Sequence, residues 1–116
     1  MSQYLEVKSS PQIGIDISEI CGLWEVIRID MAGEISIFPW IRGRFMFNFL
    51  EDMIFACIKE GKHLNGSWKL SEKTWESKRV SSIILNEAFE YIIISIHEDE
   101  MIITDRGNRY LLARKL

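Results

Sequence analysis

From Gly22 onward, apolar and polar positions alternate with a period of two, as expected of strands that bury one face. The cleanest stretch places Phe45, Phe47 and Phe49 on one side and Arg44, Met46 and Asn48 on the other. Leu64, Gly66, Trp68 and Leu70 alternate in the same way against Asn65, Ser67 and Lys69. Strands are predicted over residues 23–30, 44–49, 53–59, 64–70, 82–85, 90–96, 101–104 and 109–114. Residues 35–41 read as an apolar loop or a short strand broken by Pro39. Almost no helical period intervenes.

The punctuation agrees with antiparallel neighbours. Met31-Ala32-Gly33, Leu50-Glu51-Asp52, Glu98-Asp99-Glu100 and Asp105-Arg106-Gly107-Asn108 are short polar or Gly-containing connectors. One register is ambiguous, because both Asn65-Gly66 and Glu60-Gly61-Lys62 make good turns. The turn at Glu60-Gly61-Lys62 is preferred, since it keeps Leu64 to Leu70 on one continuous inward face. Before Gly22 the chain reads as an irregular lead-in over residues 1–20, with Ser9-Ser10-Pro11 as a breaker. Ile13, Ile15 and Ile17 alternate there, and a helical turn from Asp16 to Ile20 is an equal alternative. The expected architecture is all-β: a single up-and-down antiparallel β-barrel of about eight strands over residues 21–116.

The 116 residues suffice for one core, and a net charge of −3 with scattered Lys and Arg gives no basic stripe for nucleic acid. No apolar run reaches the ~20 residues that span a bilayer, and the start lacks the basic-then-apolar order of a secretory leader. A cytoplasmic location is therefore expected, or an exported one if a leader has been removed. Cys21 and Cys57 are too few for a disulfide framework and are expected to be reduced, buried and inert.

Four segments carry a family likeness. Gly22-Leu23-Trp24 resembles the Gly-x-Trp opening of lipocalins, and Phe45-Met46-Phe47-Asn48-Phe49, with Asp52 in the following turn, is similar to the F-x-F-x-x-D-G second strand of compact bacterial lipocalin-like domains. Gly66-Ser67-Trp68-Lys69-Leu70 resembles their G-x-W-x-L strand, and Tyr110-Leu111-Leu112-Ala113-Arg114 their closing Y-x-L-x-R. The resemblance implies a short eight-stranded barrel, often with room for a small apolar molecule. Two departures stand out: Met53 occupies the place of the usual Gly, and Thr104-Asp105 is followed by Arg106 rather than Tyr.

Within such a barrel the first and last strands are neighbours, so the Arg114 guanidinium can lie on the Trp24 indole and close one end. This pair is read as a structural plug, with ligand contact as the alternative. Trp24, Phe45, Phe47, Phe49, Phe55, Trp68, Tyr91, Tyr110 and Leu112 are expected to face inward. They either line an apolar cavity or fill the barrel themselves, since eight strands enclose little more than side chains. Strict alternation puts Arg28 on the Trp24 and Val26 face as a polar anchor for a carboxylate, unless a bulge turns it outward. Arg42 and Arg44 are weaker candidates near a mouth. Trp40 and Trp75 fall in connectors, and the apolar Phe38–Trp40 loop is read as a cap on a barrel mouth or a homodimer interface, with contact to another partner as the alternative.

No nucleophile elbow, zinc-binding His pair, phosphate loop or Cys-x-x-Cys motif is present in the sequence. His97-Glu98-Asp99-Glu100 reads as a polar turn rather than a metal site, and no cofactor is implied. The expected activity is non-catalytic binding of a small hydrophobic or amphipathic ligand inside the barrel. The alternative is a filled-core module acting through its surface or a homodimer. Neither nucleic acid nor a membrane is an expected partner.

Overall fold

A two-residue turn at Glu60 and Gly61, both at positive φ (53° and 81°), settles the register that the sequence leaves ambiguous. The computed structural model describes residues 14–31, 35–37, 44–105 and 107–115. Its elements are a short helix α1 (Ile17–Ile20) and strands β1 (Gly22–Met31), β2 (Ile35–Ile37), β3 (Phe45–Phe49), β4 (Ile54–Lys59) and β5 (Lys62–Trp75). They continue as β6 (Lys78–Leu85), β7 (Phe89–His97), β8 (Glu100–Asp105) and β9 (Asn108–Arg114). Ile13, Ala32, Gly33, Phe38, Pro39, Trp40, Arg42 and Arg106 lie outside the described residues, so the Phe38–Trp40 loop does too.

Consecutive strands pair antiparallel from β3 to β9, and β1 closes the ring by pairing with both β3 and β9. Eight strands thus form a closed barrel. Strand β2 adds to the far half of β1, where Ile29, Asp30 and Met31 meet Ile37, Ser36 and Ile35. Closure removes the open edges that make isolated sheets associate. The interior holds a single large core in which Trp24, Phe55, Ile83, Ile93, Met101 and Leu112 are fully buried.

Two bulges shift the inward face. Between Val26 and Arg28 the pairing of β1 with β9 slips by one residue, so Val26 and Ile29 both point inward. Between Ile93 and Ser95 the same slip lets Ile93 and Ile96 share the core. The extra residue breaks strict alternation without breaking the ladder.

Strands β5 and β6 run further than alternation suggests. Trp75, expected in a connector, is half-buried in β5 and pairs with Lys78. Residues Ser71 to Trp75 pair with β6 beyond the end of β4, and of their half-buried positions Ser71, Lys73 and Trp75 only the last is apolar, so no apolar alternation marks them. Gly66 is required by a close approach: a Cβ there would collide with the Asn86 side chain. Asn86 Oδ1 instead accepts from the Ser67 N–H (3.0 Å).

The β5–β6 turn places Glu76 and Ser77 at φ 50° and 65°, the pattern of a type I′ turn that favours Gly at its second position. Ser77→Gly is therefore expected to stabilise by about 1 kcal/mol, which raises Tm by roughly 4 °C in a domain of this size. A thermal melt followed by circular dichroism checks this; an unchanged Tm contradicts the turn assignment.

Candidate functional site

The two ends of the barrel differ in kind, and the sequence-predicted residues divide between them. At the closed end, the Trp24 indole is wholly buried and its Nε1–H donates to the Ile20 carbonyl (2.8 Å). Arg114 sits opposite Trp24 in the β1–β9 register, with its guanidinium carbon 4.2 Å from the ring centroid. The same guanidinium donates through Nη1 to the Cys21 carbonyl (2.7 Å) and through Nη2 to the Glu19 carbonyl (2.9 Å). Its Nε lies 3.4 Å from Asp99 Oδ1. Arg114 thereby satisfies carbonyls at the end of α1 and ties that helix across the barrel floor.

Gly22 belongs to this arrangement. It adopts φ +129°, and a Cβ would come within 2.6 Å of Arg114 Nη1. The Gly-x-Trp motif and the terminal Arg are thus one structural unit: the glycine makes room for the guanidinium that the tryptophan carries.

Above the floor a continuous line of rings crosses the interior. Trp68, whose Nε1–H donates to the Leu50 carbonyl (3.0 Å), packs against Phe49 at 5.2 Å between centroids. Phe49 stacks on Phe47 at 5.8 Å, and Phe47 meets the edge of Tyr91 at 5.9 Å. Tyr91 in turn meets Tyr110 edge-on at 5.9 Å. Phe55 and Leu112 complete the same core, and Phe45 packs on it half-buried. Nine of the predicted inward residues are therefore together, counting Trp24.

Arg28 is not among them. The bulge sets it opposite Leu111, between the inward pairs Val26–Leu112 and Ile29–Tyr110, and this register turns its side chain outward. Its Nη2 donates to Asp30 Oδ2 (3.2 Å) on the same outer face, so it cannot anchor a ligand within the barrel. Arg44 donates to the Glu60 carbonyl (3.1 Å) at the β4–β5 turn. His97 is exposed beside Glu98.

Among the described residues, the opposite end carries polar side chains around the barrel mouth. Tyr110 donates to the Asp105 carboxylate, with oxygen separations of 3.3 and 3.4 Å. Thr104 Oγ1 donates to the Asn108 carbonyl (2.6 Å), which holds the β8–β9 turn. Tyr91 is 6% exposed, yet its hydroxyl has no hydrogen-bond partner among the described residues. Burial pushes the Tyr91 phenol above its ordinary range, and Tyr110 and Asp105 push it further. Burial likewise raises the thiols of Cys57, which is buried, and of Cys21, which is only half-buried rather than fully so.

Tyr91 and Asp105 line a groove of about 860 Å³ that passes over Phe89 to the outward-facing Ile92 and Thr104. Phe89 is 54% exposed at the rim. On the outer wall Lys73 Nζ and Ser82 Oγ both donate to Glu90 (2.9 Å each). The Lys73 hydrogen bond is the main reason that the Glu90 carboxyl lies below its usual range. Asp105, Phe89 and Lys59 are mouth residues that sequence reasoning assigned to turns and strand ends. Asp105 was recoverable, because it lies two residues beyond the inward Ile103.

No protein-family model matches this sequence, and no curated protein matches it. Among solved structures, the chain is similar to a lipocalin-like protein from Bacteroides uniformis ATCC 8492. The two share 15% identity and a TM-score of 0.56 over 84% of this chain and 99% of that one. The fold is a lipocalin-like barrel, as the four sequence motifs implied.

The closed end generates a stability test. Arg114→Ala removes the ring contact and leaves the α1 carbonyls without a donor, an expected loss of about 2 kcal/mol. This corresponds to a fall in Tm of roughly 8 °C. Arg114→Lys should recover less than half, because an ammonium cannot reach both carbonyls from over the ring. A melt of Arg114→Ala equal to wild type contradicts the plug.

Proposed function

We propose that this chain is a non-catalytic binding module that takes a small amphipathic molecule at the mouth of the barrel. The observation that carries this reading is the groove at the mouth, on whose wall the Tyr91 hydroxyl has no hydrogen-bond partner among the described residues. The ring is largely buried while the hydroxyl reaches the groove, so a bound molecule can pair with it in place of water. A groove of about 860 Å³ falls within the ~300–1,000 Å³ of small-molecule sites. Its aromatic walls, Tyr91 and Phe89, suit an apolar body.

The ring line from Trp68 to Tyr110 sets how deep a ligand can go. With the closed half packed by aromatic side chains, the molecule rests on Tyr91 rather than descending to Trp24. This combines the two sequence readings, a filled core below and a binding surface above. The non-catalytic part is supported by the chemistry of the candidate nucleophiles: both thiols and both mouth phenols are shifted toward their protonated, unreactive forms.

Native mass spectrometry of gently purified protein tests the reading. A bound species is expected as a peak a few hundred daltons above the 13.6 kDa chain. Phe89→Ala should reduce its occupancy about fivefold at equal concentration, since one ring of contact is lost. A wild-type protein that stays free of adducts across detergent-free preparations and a panel of added amphiphiles overturns it.

A further inference from the structure

The mouth offers its ligand an unusual pair of groups. Tyr91 presents an unused O–H donor, while Tyr110 has already committed its own O–H to Asp105. The Asp105 carboxylate keeps lone pairs beyond the single Tyr110 donor, and it lines the same groove as Tyr91. No ion pair joins Asp105 to a cation among the described residues. Asp105 also reaches Tyr91 electrically, as its charge helps push the Tyr91 phenol upward.

We infer that the ligand's polar end is an uncharged hydroxyl that accepts from Tyr91 Oη–H and donates to the Asp105 carboxylate. This rests on the mouth-binding reading above and deepens it to a ligand class: alcohols with an apolar body. Competing head groups fit less well. A carboxylate would accept from Tyr91 but meet the Asp105 charge with no hydrogen of its own to offer. An ammonium would satisfy Asp105 but supplies no acceptor for Tyr91, and the exposed Lys59 and Arg109 on the same groove are screened by solvent too strongly to select either charge. Lys59 is exposed at the end of β4, where solvent screens it, so it compensates a carboxylate weakly. Only a group that both accepts and donates pairs with both walls. The hydroxyl is the simplest such group.

Isothermal titration at pH 7.5 with chain-matched probes tests the assignment: 1-decanol, decanoate and decylammonium, each against wild type, Tyr91→Phe and Asp105→Asn. Decanol is expected to bind wild type at least about tenfold tighter than decanoate, the worth of one charge-assisted hydrogen bond. Tyr91→Phe should weaken decanol about fivefold, and Asp105→Asn should strengthen decanoate relative to decanol. The assignment is overturned if decanoate or decylammonium binds as tightly as decanol, or if Tyr91→Phe leaves decanol unchanged. Decanoate binding that is lost in Lys59→Met would show instead that the lysine selects an anion. If wild type binds none of the three, the mouth reading itself falls, an outcome separate from wrong head-group selection. The three-probe comparison on wild type stands even where a variant unfolds.

Discussion

The contact on which the molecule depends is the Arg114 guanidinium lying on the Trp24 indole. It joins the last strand to the first at the point where the barrel must close, and it holds α1 across the floor through the Glu19 and Cys21 carbonyls. Without it, the helix would leave carbonyls unsatisfied and the indole would lose its cover. Gly22 is constrained by the same contact, since a side chain there would displace the guanidinium. Three positions separated by up to 92 residues in the chain are thus one device (Arg114 minus Gly22).

Closing one end gives the other its role. The ring line from Trp68 through Phe49 and Phe47 to Tyr91 and Tyr110 rises from that floor and fills the interior with side chains that support one another edge to face. What remains for chemistry is the rim, where the last rings in the line carry hydroxyls. One hydroxyl is spent on Asp105. The other lines the groove and has no partner among the described residues.

Much of this was legible in the residues. Alternation located the eight barrel strands, the Glu60-Gly61-Lys62 turn fixed the β4–β5 register, and nine inward residues were identified by face alone. Trp24 and Arg114 were legible as a closing pair because first and last strands of a barrel must meet, whereas the part of Gly22 in it shows only in the close approach of the guanidinium. The misplacements have physical causes. Strict alternation placed Arg28 inward with a bulge as the alternative, and the bulge is what occurs: a one-residue slip moves the side chain to the other face. Trp75 was placed in a connector because the half-buried positions before it, Ser71 and Lys73, are polar and give no apolar alternation. Asp105 was read as a polar turn because its partner Tyr110 is visible only once β8 and β9 are paired. Met53 kept its place in a left-handed turn (φ 68°) where the related motif has Gly, since its side chain packs partly on the core.

The central claim is that the floor is structural and the mouth is where binding occurs. Amide chemical-shift mapping of the isotope-labelled protein during a 1-decanol titration tests this most directly. The account predicts saturable shifts at Lys59, Phe89, Tyr91 and Asp105, with the Trp24 indole N–H and the Gly22 and Arg114 amides unmoved. Shifts that concentrate on Trp24, Gly22 and Arg114 while the Tyr91 region stays silent would contradict it.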